Sequence, residues 1–330
     1  MINVTDINVM KPLLASHGFH FSKAKGQNFL IASWVPQQIA EDAGVDSTAG
    51  VLEIGPGIGP LTQQLCLRAG KVIACELDER LKPILELTVG EFGNLEILWN
   101  DVLKLDVPSL VGEKFSGLRP MACANLPYYI TSPILTALLE ADCFDSVTVM
   151  VQKEVAQRIA AAPGSADYSA FTVFCQYYAE PEVLFDVPAG CFMPAPKVTS
   201  AVITLRTRQE KPWDILDEDI FFRTVRASFA MRRKKLSNGL ASGFPELGKN
   251  GAAEVIAECD FDASVRGETL DIPDFARLAN GLSAGFSELG KAGAAEVIAA
   301  CGFPENVRGE TLSIADFAKL SNEIVRLRNR

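Results

Sequence analysis

Four consecutive residues, Asn125-Leu126-Pro127-Tyr128, follow an apolar run over 121–124 and carry groups suited to gripping a flat base. The exocyclic amino nitrogen of adenine is a poor nucleophile because its lone pair is delocalised into the ring. The Asn125 side-chain oxygen and the Leu126 carbonyl oxygen are two acceptors that would hold its N–H bonds out of the ring plane. Pro127 fixes the backbone and offers no competing donor, and Tyr128 would stack on the base. The alternative is an Asn-x-Pro turn after a buried strand, without chemistry.

A glycine-rich loop at 53–59, Glu-Ile-Gly-Pro-Gly-Ile-Gly, follows one predicted strand and opens a predicted helix. Gly55 and Gly57 permit a tight turn and let the backbone approach a ligand closely. Glu76 ends the next predicted strand, 21 residues after Gly55. An acidic side chain at that point meets the two ribose hydroxyls of a bound nucleoside. The loop therefore predicts a site for a nucleoside cofactor.

Both NAD and S-adenosylmethionine are candidates for this cofactor. The Gly-x-Gly-x-Gly spacing, Glu53 ahead of the loop and Asp101 after the third predicted strand favour S-adenosylmethionine. Asp101 would accept a hydrogen bond from the adenine amino group of that cofactor. The alternatives are that Asp101 caps a helix or turn and that Glu53 is a structural carboxylate paired with loop amides. An NAD dehydrogenase would leave Asn-Leu-Pro-Tyr without a task.

Short apolar runs alternate with helical stretches between about 50 and 155. The predicted strands are 51–54, 71–76, 95–99, 120–125 and 146–151, and the predicted helices are 61–68, 81–88 and 134–139. This alternation predicts a parallel sheet with helices on both faces. The segments 182–187 and 200–205 are predicted to form a closing antiparallel pair. The candidate residues lie at successive strand ends, where open α/β sheets bind ligands.

The length and composition suit a cytosolic protein with two domains, or with one large domain and an appendage. The chain has 330 residues, 48% of them hydrophobic, which is ample for a sizeable core. No apolar run approaches the ~18 residues of a membrane helix, and the first residues have no secretory pattern. Eight scattered cysteines without a Cys-x-x-Cys pair predict reduced thiols. His17-x-x-His20 has no accompanying acidic or cysteine cluster, so no metal site is predicted.

The net charge of −10 conceals a concentrated basic segment at 221–235, which has no acidic residue. Residues 236–322, by contrast, hold 6 basic and 13 acidic side chains. A concentrated basic segment binds phosphates even in an acidic protein. The alternative interpretation is a solvated basic helix end.

The C-terminal part of the chain repeats itself. Residues 238–279 align without gaps onto 280–321, with 29 of 42 positions identical. Two copies fall short of the ~3 that a solenoid needs, which favours the tandem duplication of one small helical module. Each copy ends in a predicted helix with an N-cap pattern, Asp271-x-x-Asp274 or Ser313-x-x-Asp316. Our hypothesis is that one copy docks on the catalytic domain and the other packs on it or on a second chain.

Several motifs occur together in an order typical of one family. They are Gly26-Gln27-Asn28-Phe29-Leu30, the 53–59 loop, Glu76-Leu77-Asp78, Asn100-Asp101, Asn125-Leu126-Pro127-Tyr128, Gln152-Lys153-Glu154-Val155-Ala156-x-Arg158, Phe192-x-Pro194-x-Pro196-Lys197-Val198-x-Ser200 and Arg232-Arg233-Lys234-Lys235-Leu236. Over about 23–279 the chain resembles the ribosomal RNA adenine N6,N6-dimethyltransferase family, most of all its bacterial small-subunit branch.

The resemblance implies an α/β fold: a Rossmann-like S-adenosylmethionine-dependent methyltransferase sheet with a small all-helical C-terminal domain, here with its module duplicated in tandem. The expected domains are a catalytic domain over 1–207, whose N-terminal segment covers the cofactor, and a helical domain over 208–280. A second copy of the module over 281–322 and a basic tail over 323–330 would follow. The implied partner is the small ribosomal subunit with its 16S-type RNA, in the cytoplasm, without membrane or metal.

The resemblance also implies roles for individual residues. The cofactor would be bound by Gln27, Asn28, Leu30, Glu53, Gly55, Gly57, Glu76, Leu77, Asp101, Val102 and Asn125. The adenine would be held by Asn125, Leu126 and Pro127, between the rings of Tyr128 and Phe192. RNA phosphates would be met by Lys197, Arg223, Arg226, Arg232, Arg233, Lys234 and Lys235.

The chain departs from the family pattern at three places. Lys25 stands where the family usually has an apolar residue, 168–172 differs from the usual Tyr-Gly-Arg-Leu-Ser, and the C-terminal module is duplicated. Two rival functions share most of the motifs. One is a large-subunit methyltransferase of the antibiotic-resistance type, and the other is a ribosome assembly factor whose binding matters more than its catalysis.

Overall fold

A computed structural model describes residues 2–19, 28–287 and 300–302. Contacts within the chain divide it into two units, Met1–Lys211 and Pro212–Arg330. The first unit is built around a β-sheet with flanking helices, and the described part of the second unit is helical.

The sheet of the first unit has seven strands in the order β4-β3-β2-β5-β6-β9-β7. The strands are β2 (Ala49–Ile54), β3 (Lys71–Glu76), β4 (Leu95–Trp99), β5 (Arg119–Asn125), β6 (Ser146–Gln152), β7 (Ala179–Val187) and β9 (Ser200–Thr207). The first five are parallel, and β9 runs antiparallel between β6 and β7. The predicted parallel sheet and its closing antiparallel pair are therefore confirmed.

Helices connect these strands. They are α1 (Ile7–Ser16), α2 (Trp34–Asp42), α3 (Pro60–Cys66), α4 (Lys82–Val89), α5 (Val107–Lys114), α6 (Thr131–Glu140), α7 (Lys153–Ile159) and α8 (Ala170–Tyr178). The sequence interpretation missed α5, since its proline and glycine are typical of a turn. The helix forms because Asp106 caps it, accepting from the Ser109 N–H at 3.2 Å, and because Val107 and Val111 are buried.

The central strand β2 is buried along its whole length, as expected for a parallel strand covered on both faces. Leu52 packs into the core on one face of the sheet, and Val51 packs into the core on the other. A Cβ built on Gly50 would lie 2.5 Å from the Phe115 ring, so the glycine allows that ring to approach the strand closely.

The strand order reverses beside β2. The chain moves outward from β2 to β3 and β4 and then returns to β5 on the other side of β2. Open α/β sheets bind ligands in the crevice at the carboxyl ends of the strands around such a reversal. A separate two-stranded sheet, β1 (Phe29–Leu30) with β8 (Phe192–Met193), pairs Leu30 with Phe192.

The described part of the second unit contains α9 (Glu218–Ala230), α10 (Leu236–Gly243), α11 (Gly248–Glu258) and α12 (Ile272–Ser287). The predicted N-cap of α12 is confirmed, because Asp271 accepts from the Asp274 N–H at 2.9 Å. The equivalent cap in the second copy, Ser313 with Asp316, lies outside the described residues. The hypothesis about how the two copies pack also depends on residues outside the described part of the chain.

Among the described residues no helix combines the length and apolar character needed to span a membrane. The same part of the chain holds no cluster of three or more potential metal ligands. All eight cysteines are free thiols, and six of them are buried.

Candidate functional site

A single cavity lies at the carboxyl ends of β2, β3 and β5 and brings the predicted site residues together. Its lining includes every predicted catalytic residue and every described predicted cofactor residue: Asn28, Leu30, Glu53, Gly55, Gly57, Glu76, Leu77, Asp101, Val102, Asn125, Leu126, Pro127, Tyr128 and Phe192. Gln27 lies outside the described residues.

The glycine-rich loop has the backbone conformation that only glycine adopts easily. Gly55, Gly57 and Gly59 have φ values of 69°, 61° and 94°. Gly59 is the N-cap of α3, and a Cβ on it would lie 2.7 Å from Val89 Cγ1. The loop therefore depends on glycine both for its conformation and for its close packing against α4.

Glu76 ties this loop to the end of β3. Its Oε2 accepts from the Gly57 N–H at 3.2 Å, and its Oε1 accepts from the N–H groups of Leu77 and Asp78 at 2.9 and 2.8 Å. Burial raises the pKa of the Glu76 carboxyl, while these three backbone donors oppose the rise. A carboxylate so held presents a fixed acceptor to the cavity.

Glu53 contributes a second buried acid to the cavity wall. It is 1% exposed, and its Oε2 has no hydrogen-bond partner among the described residues. Burial raises the pKa of Glu53 to about 8, the nearby Thr62 hydroxyl opposes part of the rise, and the charge of Glu76 adds to it. The Oε2 atom therefore makes no bond to a loop amide among the described residues. A buried carboxyl oxygen without a partner at a cavity is suited to accept a hydrogen bond from a ligand.

Asp101 follows β4. It caps a short helix, as one interpretation of the sequence had it, and it also lies at the cavity, as the cofactor interpretation requires. Its Oδ1 accepts from the Leu103 N–H at 3.1 Å and caps a short 3-10 helix over Val102–Lys104. The residue also lines the cavity. The cap orients the carboxylate and leaves its second oxygen for a ligand.

Asn125 ends β5, and Leu126 follows it directly. The Leu126 N–H donates to the Met150 carbonyl at 3.2 Å, which fixes the loop to the neighbouring strand β6. Among the described residues, no donor bonds to the Asn125 side-chain oxygen or to the Leu126 carbonyl. The Pro127 carbonyl, by contrast, accepts from the Ile130 N–H at 3.1 Å. The two acceptors that the sequence suggested are thus without a donor among the described residues, and the Leu126 backbone is fixed to β6.

Aromatic rings form part of the cavity wall. Tyr128 is half-buried, and its hydroxyl lies 2.7 Å from the Ser200 hydroxyl of β9. Phe192 is 4% exposed and is held through the pairing of β8 with β1. Phe29 and Tyr129 also line the cavity, although the sequence interpretation gave them no role. Phe29 belongs to the Gly26-Gln27-Asn28-Phe29-Leu30 motif, so its place beside predicted cofactor residues could have indicated this position.

The second unit holds the basic segment, and its cations are not equivalent. Arg223 pairs with Glu246 at 2.8 Å, and Arg232 pairs with Glu268 at 2.7 Å. The other predicted phosphate contacts are exposed and form no ion pair with a described residue: Arg226, Arg233, Lys234 and Lys235 in this unit, and Lys197 in the first unit. Two of the predicted RNA contacts therefore also have a structural task.

The chain is similar to known proteins over most of its length. The family model "Ribosomal RNA adenine dimethylase" matches residues 18–280. Ribosomal RNA small subunit methyltransferase A of Geobacillus thermodenitrificans is 47% identical over 271 residues, covering 81% of this chain and 92% of that protein. The protein of the same name from Listeria welshimeri is 47% identical over 270 residues, covering 80% and 92%.

Two solved structures are also similar. A dimethyladenosine transferase from Plasmodium falciparum has a TM-score of 0.67 and 25% identity, covering 78% of this chain and 98% of that one. The 23S rRNA methyltransferase ErmE has a TM-score of 0.58 and 26% identity, covering 78% and 100%.

A sheet with this reversal and these relatives defines an S-adenosylmethionine-dependent methyltransferase with a Rossmann-like fold. The match over most of its length makes the assignment specific: the chain belongs to the ribosomal RNA adenine dimethylase family.

Proposed function

We propose that this protein dimethylates the N6 amino group of adenine in small-subunit ribosomal RNA, in the cytoplasm, during ribosome assembly. The proposal rests mainly on one observation: two buried acids, Glu53 and Glu76, line the same cavity as the acceptors of the Asn-Leu-Pro-Tyr loop. The small-subunit assignment is supported by relatives at 45–47% identity that are named ribosomal RNA small subunit methyltransferase A.

The cavity fits S-adenosylmethionine in the chemistry of its donors. Glu53 offers a buried oxygen without a partner, and Glu76 offers a carboxylate fixed by three backbone N–H groups. We assign Glu76 to the ribose hydroxyls and Asp101 to the adenine amino group of the cofactor. Asn28, Leu30, Leu77 and Val102 line the same cavity and would enclose it. When bound, S-adenosylmethionine would supply an electrophilic methyl group on a cationic sulfur, and that sulfur would keep the electron pair of the S–C bond.

The residues of the loop prepare the target nitrogen for attack. The Asn125 oxygen and the Leu126 carbonyl accept the two N–H bonds of the adenine amino group and hold them out of the ring plane. The nitrogen lone pair then points at the incoming carbon instead of into the ring. No general base is needed, because the nitrogen attacks first and its proton leaves to water afterwards. Catalysis arises from positioning and from dipoles facing the developing positive nitrogen.

The second methylation uses the same acceptors under a weaker constraint. After the first transfer only one N–H remains, so only one of the two acceptors is engaged. The rest of the orientation must come from the walls of the cavity, where Tyr128 and Phe192 would hold the two faces of the base.

RNA affinity would come from exposed cations. RNA phosphates would be met by Arg226, Arg233, Lys234 and Lys235 in the helical unit and by Lys197. RNA binding would therefore weaken as the salt concentration rises. We assign the catalytic domain to 1–207 and the RNA-binding helical domain to 208–280, followed by the second copy of the module at 281–322 and the tail at 323–330. The target adenine would be unpaired, since a flipped base is easiest to extract from such RNA.

A large-subunit substrate is the second candidate, because the chain is also similar in fold to a 23S rRNA methyltransferase. The identity of 26% to that protein, against 47% to the small-subunit relatives, favours the first candidate.

Transfer of labelled methyl from S-adenosylmethionine to three substrates tests the proposal. The substrates are unmethylated small subunits, large subunits and naked RNA, and the products are digested to nucleosides. N6,N6-dimethyladenosine on small subunits is expected. Label confined to large subunits would reassign the substrate. Cofactor binding without any transfer would leave an assembly factor as the better account.

A further inference from the structure

The antiparallel strand β9 begins beside the carboxyl ends of the parallel strands, where the Asn-Leu-Pro-Tyr loop lies. Because β9 runs antiparallel to β6, its first residue lies opposite the last residue of β6. Its first residue, Ser200, pairs with Gln152 at the end of β6. Ser200 is fully buried and held on both sides, because it also pairs with Val187 of β7.

The side chain of Ser200 reaches Tyr128. Its hydroxyl lies 2.7 Å from the Tyr128 hydroxyl, 72 residues earlier in the sequence. The Tyr128 ring therefore has its far end fixed to a rigid strand, while its body lines the cavity. Burial raises the pKa of the Tyr128 phenol, and the bond to Ser200 opposes the rise.

We propose that Ser200 is a positioning residue for methyl transfer: it fixes the far end of the Tyr128 ring, and so the direction of the ring axis, and through that ring it orients the monomethylated adenine for the second transfer. The inference rests on the proposed function. Each transfer forms one N–C bond at N6 as the S–C bond of the cofactor breaks with its electrons on sulfur. The displaced N–H proton leaves to water.

The two methylation steps depend on the ring to different degrees. In the first step two N–H bonds to Asn125 and Leu126 define the orientation of the amino group. In the second step one N–H bond remains, and stacking must supply the missing constraint. Loss of the bond between Tyr128 and Ser200 is therefore expected to slow the second transfer more than the first.

The test is the ratio of the two rate constants in Ser200→Ala, measured on unmethylated small subunits at saturating S-adenosylmethionine. Products are digested, and N6-methyladenosine and N6,N6-dimethyladenosine are followed with time. We expect the second step to slow relative to the first by about three- to tenfold, the range that one lost hydrogen bond produces in a rate. A smaller folded fraction lowers both steps alike and leaves the ratio unchanged.

The chain provides a matched control. Thr204 lies four residues further along β9, about 13 Å away, and its hydroxyl is 2.8 Å from that of Thr148 in β6. Thr204→Val removes a buried hydroxyl–hydroxyl bond between strands without touching the cavity. The ratio of the two steps is expected to stay at its wild-type value in this variant.

Tyr128→Phe removes the same bond from the other side and keeps the test decisive if Ser200→Ala does not fold. It is expected to shift the ratio as Ser200→Ala does, and the double variant should be no worse than either single one. An unchanged ratio in a variant that still methylates overturns the inference, and so does an equal shift in Thr204→Val. If the wild-type protein forms no methyladenosine, the proposed function fails and this inference fails with it.

Discussion

The Glu76 carboxylate accepts a hydrogen bond from the Gly57 N–H at 3.2 Å, so the end of β3 holds the glycine-rich loop in place. The same carboxylate holds the first turn after its own strand through Leu77 and Asp78. One acid thereby fixes two walls of the cavity before any ligand arrives. Preorganisation of this kind reduces the loss of conformational entropy that accompanies ligand binding.

Replacement of Gly57 by alanine should weaken cofactor binding. Gly57 has φ of 61°, and an added Cβ would lie 3.2 Å from the Phe29 ring, itself part of the cavity wall. Either the Phe29 ring or the loop must give way, and a shift of the loop moves the N–H that donates to Glu76. We expect the dissociation constant for S-adenosylmethionine to rise at least about tenfold, corresponding to ~1.4 kcal/mol. Isothermal titration calorimetry measures it.

Gly164→Ala is the matched control for this substitution. Gly164 has φ of 80° and nothing within 4 Å of an added Cβ, and it lies outside the cavity lining. Both substitutions place alanine in the left-handed region, at a backbone cost of about 1–2 kcal/mol. Equal losses of cofactor affinity in the two variants would contradict the role of the loop.

The stability of the ligand-free protein should fall between pH 4.5 and about 8 because of Glu53. Its pKa is raised from 4.5 in the unfolded chain to about 8 in the fold. The stabilisation from the neutral form is therefore complete below pH 4.5 and is lost as the pH rises to about 8. The maximum slope from this group is ~1.4 kcal/mol per pH unit. Denaturant unfolding at several pH values measures it.

Glu53→Gln should flatten this dependence, since the amide has no charge to bury. The variant is expected to match the wild type near pH 4.5, to exceed it in stability at pH 8, and to bind S-adenosylmethionine more weakly. A wild-type slope that persists in Glu53→Gln would show that another group titrates.

The basic segment should separate into cations that bind RNA and cations that hold the helical unit together. Arg233→Glu, at an exposed position, should weaken RNA binding and lower its salt dependence while leaving the melting temperature unchanged. Arg232→Glu should instead lower the melting temperature, because it places a second acid against Glu268. Filter binding over a salt series and thermal unfolding distinguish the two effects. Identical behaviour of both variants would contradict the division.

Much of this architecture is readable from the chain. The strands and the site motifs follow from local patterns, since apolar runs, glycine spacing and acids at strand ends need no distant partner. The bond between Tyr128 and Ser200 could not be predicted, because the residues lie 72 positions apart and meet only through the strand order. The pairing of Arg232 with Glu268 escaped prediction for the same reason. The helix α5 was missed because its stability comes from a cap and two buried valines.

Asn125→Ala tests the central claim most directly. Wild type and variant are compared at saturating labelled S-adenosylmethionine with unmethylated small subunits, and cofactor binding is measured in parallel. Removal of the acceptor that holds the amino group should lower transfer by at least about a hundredfold, the loss seen when one preorganised polar group is removed from a transition state. Binding of the cofactor should remain detectable. Asn125→Asp keeps an acceptor oxygen and should retain more activity. Normal formation of dimethyladenosine by Asn125→Ala would contradict the account.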